Sequence, residues 1–176
     1  MIITYDSHRD RVFEITRDEY RVVELILGIG NDLLGDDGVG PYIAERLKIM
    51  DSSGWVVINA GIVPENFIRP MHTIKPDRII IIDAVEMGLE PGTVRIIPAA
   101  SIRDVGIGTH QLPLSFFISQ CASISPVVLI GIQPGCLDMD TSLTLPVVRA
   151  AHDLISLLQA HQYDQLPILD GGKEKE

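Results

Sequence analysis

The chain has 176 residues and a hydrophobic fraction of 46%, which suits the core of one domain and leaves little room for a second. Its formal net charge of −10 argues against nucleic acid and against an anionic membrane surface, since phosphate binding is driven by Lys and Arg replacing counterions. No apolar run approaches the ~20 residues needed to span a bilayer. The segment Met1–Asp6 has no basic stretch ahead of an apolar one, so neither a signal peptide nor membrane insertion is expected and the expected location is cytoplasmic.

Residues 1–21 are charged and precede the first clear strand; they read as an N-terminal extension in which Arg9–Glu19 suits a short helix. From there strands and helices alternate to about residue 162. Val22–Ile29 is a buried strand, Gly38–Met50 a helix, Trp55–Ile58 a second strand, and Pro64 to His72 a helix opened by proline in its first turn. Arg78–Ile82 (Arg-Ile-Ile-Ile-Ile) is apolar on both faces, as a central strand covered by helices on both sides must be. After the turn Glu90-Pro91-Gly92, Thr93–Ile97 is a further strand; its connection is too short for a helical crossover, so it is expected antiparallel to its predecessor. Residues 98–112 form a loop, Pro113–Cys121 a helix, Val127–Ile132 a strand and Leu145–Ala160 an amphipathic helix. Residues 163–176 read as a tail, frayed from Asp170 onward. This alternation implies an α/β domain with a mostly parallel sheet.

Ligands of such sheets bind beyond the carboxyl ends of the strands, so the residues at those ends carry the functional question. The first strand runs into Gly28-Ile29-Gly30-Asn31-Asp32-Leu33-Leu34-Gly35-Asp36-Asp37-Gly38-Val39-Gly40. A dinucleotide loop would require glycine at position 33, where Leu33 stands, and a phosphate at the helix entrance would meet Asp36 and Asp37. A helix entrance favours carboxylates. One aspartate as a cap explains one of the pair and leaves the second to point into the cleft. The third strand ends in Ile82-Asp83-Ala84, where an aspartate after four isoleucines must leave the core or be paired. His110, in Gly108-Thr109-His110-Gln111-Leu112-Pro113, sits just before a helix. A lone histidine is more often structural than a ligand. With two carboxylates on the same sheet edge, it makes a borderline-hard donor set suited to a divalent transition ion with positions left open. Cys121 and Cys136 form no CxxC pair and read as reduced thiols. No histidine follows Cys136 in a protease-like pattern, and no GxSxG elbow exists.

Taken in order, Gly28-Ile29-Gly30-Asn31 through Asp36-Asp37-Gly38-Val39-Gly40, then Ile82-Asp83-Ala84, then Thr109-His110-Gln111-Leu112-Pro113-Leu114 resemble the signature blocks of the maturation endopeptidases of nickel–iron hydrogenases. Asn59-Ala60-Gly61 with Pro64-Glu65-Asn66, and Gly131-Ile132-Gln133-Pro134, are similar to two further blocks. Met87-Gly88-Leu89 after Asp83 favours the branch serving hydrogenase 3 and related membrane-bound, energy-converting enzymes. The resemblance spans about residues 24–160.

The resemblance implies a three-layer α/β/α sandwich around a five-stranded sheet. It implies an endopeptidase that removes the C-terminal extension of the hydrogenase large-subunit precursor once nickel has been inserted, the nickel arriving with that substrate. The family's metal-contacting positions map onto Asp37, Asp83 and His110, and some members carry glutamate in place of Asp37. Whether a carboxylate activates water or the metal polarises the carbonyl stays open, so the catalytic type is aspartic or metal-dependent. Asn31, Asp36, Glu65 and Gln133 are weaker candidates around the substrate cleft. The competing reading is a nickel-dependent chaperone or checkpoint that recognises the loaded subunit without cutting it.

Overall fold

The computed structural model describes residues 22–50, 55–98, 101, 106–107 and 114–170. The helix expected over Arg9–Glu19 lies outside them. Six strands occur among them: β1 (Glu24–Ile29), β2 (Trp55–Gly61), β3 (Arg78–Glu86), β4 (Val94–Ile97), β5 (Gly106–Ile107) and β6 (Val127–Ile132). Four α-helices accompany them: α1 (Val39–Ile49), α2 (Ile68–Ile74), α3 (Leu114–Ala122) and α4 (Leu145–Gln159). The sheet runs β2-β1-β3-β6-β4, and β5 pairs with β3 off that path. The pairs β1–β2, β1–β3 and β3–β6 are parallel and β4–β6 is antiparallel.

β3 occupies the centre, as its sequence requires. Ile79, Ile80, Ile81 and Ile82 are all fully buried, and successive residues serve opposite layers. Ile80 and Ile82 pack with Val39, Ile43 and Leu47 of α1 and with Val147, Ala151 and Leu154 of α4. Ile79 and Ile81 pack with Met71 of α2 and with Leu114, Phe117 and Ile118 of α3. This is the expected α/β/α sandwich. Each such isoleucine contributes about 1.5–3 kcal/mol relative to exposure, so the four together anchor the domain.

α4 buries Val147, Ala150, Ala151, Leu154, Ile155 and Leu158, the three- and four-residue spacing of one helical face. It starts at Thr144 as its cap position, with proline in the first turn.

The structure adds detail to two readings of the chain. β4 does run antiparallel to the central strands, but its hydrogen-bonded neighbour is β6, with Val94 opposite Ile132; β3 has its edge taken by β6. Residues 163–169, the described start of the expected tail, pack against the sheet. Tyr163 is buried, Ile96 N–H donates to Pro167 O at 3.0 Å, and Leu169 N–H donates to Ile96 O at 2.8 Å. The exposed edge of β4 offers unpaired backbone groups, and this segment satisfies them.

Candidate active site

The carboxyl ends of β1, β2, β3 and β6 share one edge of the sheet, because those strands are parallel. What brings the acidic residues to it is a close approach between helix and strand. A Cβ on Gly40, in the first turn of α1, would stand 2.2 Å from Ile29 O and 2.6 Å from Ile82 O. A Cβ on Gly28 would stand 2.1 Å from Gly40 O. With glycine at both places, α1 begins directly on the ends of β1 and β3. Asp37 lies three residues before Gly40, in the 3-10 turn Gly35–Gly38, and Asp83 follows Ile82. Asp37 therefore follows the end of β1, and Asp83 stands level with that end inside neighbouring β3; they are 2% and 0% exposed respectively.

Asp37 is tied to the strand it follows. Its Oδ2 accepts the Asn31 N–H at 2.8 Å, while Asn31 Oδ1 accepts the Leu33 N–H at 3.0 Å. Asn31 thus shapes the turn that carries Asp37. Gly30 has φ 136° and donates its N–H to Gly61 O at 3.1 Å, which joins the turn to the end of β2. Asp83 lies inside β3, which continues to Glu86. By alternation it shares the face of Ile81 and Val85, the face covered by α3.

Asp36 does something different from its neighbour. It is fully buried, and both oxygens accept from a distant segment. Thr144 N–H reaches Oδ1 at 2.6 Å. Gly135 N–H, Cys136 N–H and Thr144 Oγ reach Oδ2 at 2.8, 3.0 and 2.9 Å. The expected cap on its own helix is not what Asp36 makes; it holds the β6–α4 connection and the start of α4. Gln133 is likewise committed to framework contacts. Its Oε1 accepts from Met87 N–H and Leu89 N–H at 2.7 and 3.2 Å, and its Nε2 donates to Glu86 Oε1 at 2.9 Å. Glu65 sits half-buried in the 3-10 turn Pro64–Phe67 after β2, on the same edge of the sheet.

His110 lies outside the described residues. The nearest described residues on either side are Ile107 and Leu114: β5 pairs Ile107 with Val85, two residues beyond Asp83, and α3 starts at Leu114 with that side chain buried. Among the described residues no three His, Cys, Asp or Glu side chains are gathered as a ligand set. Asp37 and Asp83 are the two carboxylates of the expected set; with an imidazole beside them, such oxygens would suit a divalent transition ion.

Beside the Asp37 turn, a groove of about 510 Å³ runs along the outer face of α1, with Asp32, Gly35, Gly38, Tyr42 and Thr141 among its walls. Arg46 lies over the Tyr42 ring at 3.7 Å and stiffens that wall. The thiols are not paired. Burial pushes the Cys121 thiol up to about 12, so it is inert as a nucleophile. Sequence reasoning missed Thr144 and Gly40. Thr144-Leu145-Pro146 carries a helix-start signal, but nothing local announces that its partner is Asp36.

The class of protein is set by the fold and its edge: an α/β sandwich with two buried carboxylates at the carboxyl edge of its sheet. Comparison with known proteins identifies the family. The model of the hydrogenase maturation protease family matches residues 41–173, and the chain belongs to that family. It is 36% identical over 140 residues to the hydrogenase 3 maturation protease of Escherichia coli (strain K12), covering 78% of this chain and 90% of that protein. A crystal structure of a hydrogenase 3 maturation protease superposes with a TM-score of 0.78 at 34% identity, over 85% of this chain and 97% of the other. The NiFe hydrogenase maturation protease HycI of Thermococcus kodakarensis KOD1 gives 0.70 at 32% identity, over 81% and 94%. The protein is thus a hydrolase, an endopeptidase of hydrogenase maturation. No helix among its described residues is long and apolar enough to cross a membrane.

Proposed function

We propose that this endopeptidase removes the C-terminal extension of a nickel–iron hydrogenase large-subunit precursor after nickel insertion, and that it recognises the loaded precursor through the nickel the substrate carries. Asp37, Asp83 and His110 are the residues assigned to that contact. The observation that supports the reading best is the seating of α1 on the strand ends through Gly28 and Gly40, with Asp37 and Asp83 buried at the same rim.

The protein's part in the chemistry follows from those two groups. Two carboxylates and an imidazole make a donor set that a divalent transition ion can join with positions left open. A precursor carrying nickel offers that contact, and an unloaded precursor does not. Selectivity then lies in presentation by the substrate, since intrinsic metal affinities alone would not favour nickel over copper. With the extension seated against the rim, one carboxylate is placed to take a proton from the attacking water, an aspartic type of hydrolysis assisted by the cation's charge.

The test is incubation of the purified protein with precursor, with and without nickel, followed by the mass of the large subunit. Loss of the extension only from the loaded precursor is expected. Asp37→Ala and His110→Ala should fold by circular dichroism yet leave the mass unchanged. Equal processing by wild type and both variants would rule the site out. A stable complex with no change of mass would make the protein a checkpoint instead of a peptidase.

A further inference from the structure

Large apolar side chains at the surface are unremarkable when scattered. Here several stand on the connections at the carboxyl edge of the sheet. Leu33 stands on the β1–α1 connection, Leu89 on the β3–β4 connection, Leu137 and Met139 on the β6–α4 connection, and Leu145 opens α4; all are exposed, Met139 by 72% and Leu145 by 71%. These loops are locked to one another. Asp140 N–H donates to Leu33 O at 2.8 Å, and Leu34 bridges to Thr141. Leu89 N–H is held by Gln133, a Cβ on Gly135 would lie 3.0 Å from the Pro91 ring, and Asp36 clamps Thr144. The apolar residues thus ride on a single preassembled surface, which lowers the ordering cost of binding.

From this surface we infer a docking face for the folded body of the large-subunit precursor, distinct from the contact made by its extension. The inference rests on the function proposed above. Two observations select the occupant. A polypeptide that delivers a bond to Asp37 and Asp83 approaches the carboxyl edge, and a folded protein doing so covers the loops of that edge. Leu137 and Met139 also alternate with exposed Asp138 and Asp140, which gives an apolar centre with an acidic border on a chain of net charge −10. Such a face fits an apolar protein surface edged by basic side chains.

The test uses the full chain and the purified large-subunit precursors of the host's own hydrogenases, loaded with nickel. Met139→Glu and Leu145→Glu are compared, singly and together, with Ile49→Glu, an 83% exposed position at the far end of α1. The expected result is precursor binding weakened about tenfold or more and KM raised in parallel, with kcat within about twofold of wild type and Ile49→Glu unchanged. Variants that bind and process like Ile49→Glu overturn the docking face. So does a fall in kcat without a change in binding, which would place these residues in the cleft. Wild-type self-association abolished by Met139→Glu would assign the face to a second copy and equally overturn the proposal. A wild type that binds but does not cut defeats the peptidase reading while the binding data still judge the face; one that does neither defeats both.

Discussion

Asp36 and Thr144 meet through two hydrogen bonds, at 2.6 Å from the backbone N–H and 2.9 Å from the hydroxyl. This pair joins the turn that carries Asp37 to the cap position of α4. The buried carboxylate also serves Gly135 and Cys136, so its removal strands several donors at once.

Asp36→Ala is therefore expected to cost about 3–5 kcal/mol, the scale for removing one member of a buried charged network. Thr144→Val removes only the hydroxyl and should cost about 1 kcal/mol; Thr144→Ser should recover most of it. Urea denaturation measures all three. A value for Asp36→Ala no larger than that for Thr144→Val would show that the clamp does not hold the fold.

Asp37 and Asp83 are expected to behave in the opposite way. Asparagine at position 37 keeps an oxygen for the Asn31 N–H but loses the charge. Asp37→Asn and Asp83→Asn should leave the urea midpoint close to wild type and slow processing of loaded precursor by about 100-fold or more, the range for losing a positioned acid–base group. Single-turnover assays followed by mass spectrometry give the rate. Rates near wild type in both variants would remove these residues from the chemistry.

Gly40→Ala adds one methyl group where no space exists, 2.2 Å from Ile29 O. The backbone must move, at about 1–3 kcal/mol for overpacking, and α1 carries the Asp37 turn with it. We expect a lower urea midpoint together with slower processing. A variant as stable and active as wild type would mean that helix and strand need not touch there.

At the amino edge, Tyr163 donates its hydroxyl hydrogen to Glu24 Oε1 at 2.7 Å and accepts from Arg78 at 2.6 Å. Burial, and then the bond to Glu24, raise the Tyr163 pKa above its usual value of 10.0. A raised phenol contributes stability that is complete below the unfolded pKa and is lost as pH climbs through the folded one. Tyr163→Phe should thus be less stable than wild type by about 1–3 kcal/mol at neutral pH. The gap should narrow as pH rises beyond about 10. A gap that stays constant from pH 8 to 12 would contradict this role.

Much of this protein is legible in its residues taken one segment at a time. Ile79–Ile82 identify a central strand because only a strand covered on both faces tolerates apolar residues at every position. The alternation of such strands with amphipathic helices implies the sandwich, and parallel strands send Asp37 and Asp83 to one edge without further information. What the chain could not say locally is which of two adjacent aspartates does what. Asp36 and Asp37 carry the same carboxylate at the same helix entrance, yet Asp36 takes partners far away in sequence, Gly135, Cys136 and Thr144, while Asp37 accepts from nearby Asn31. The sequence suggests Gln133 only as a weak cleft candidate, and its commitment to Glu86, Met87 and Leu89 depends on how the β3–β4 turn folds back over β6. Residues 163–169 look like a tail from composition, and only the unpaired edge of β4 gives them a place. Periodicity and charge act through neighbours along the chain and so can be read from it. A buried hydrogen bond is decided by whichever group tertiary packing delivers, and that selection exists only once the chain has folded.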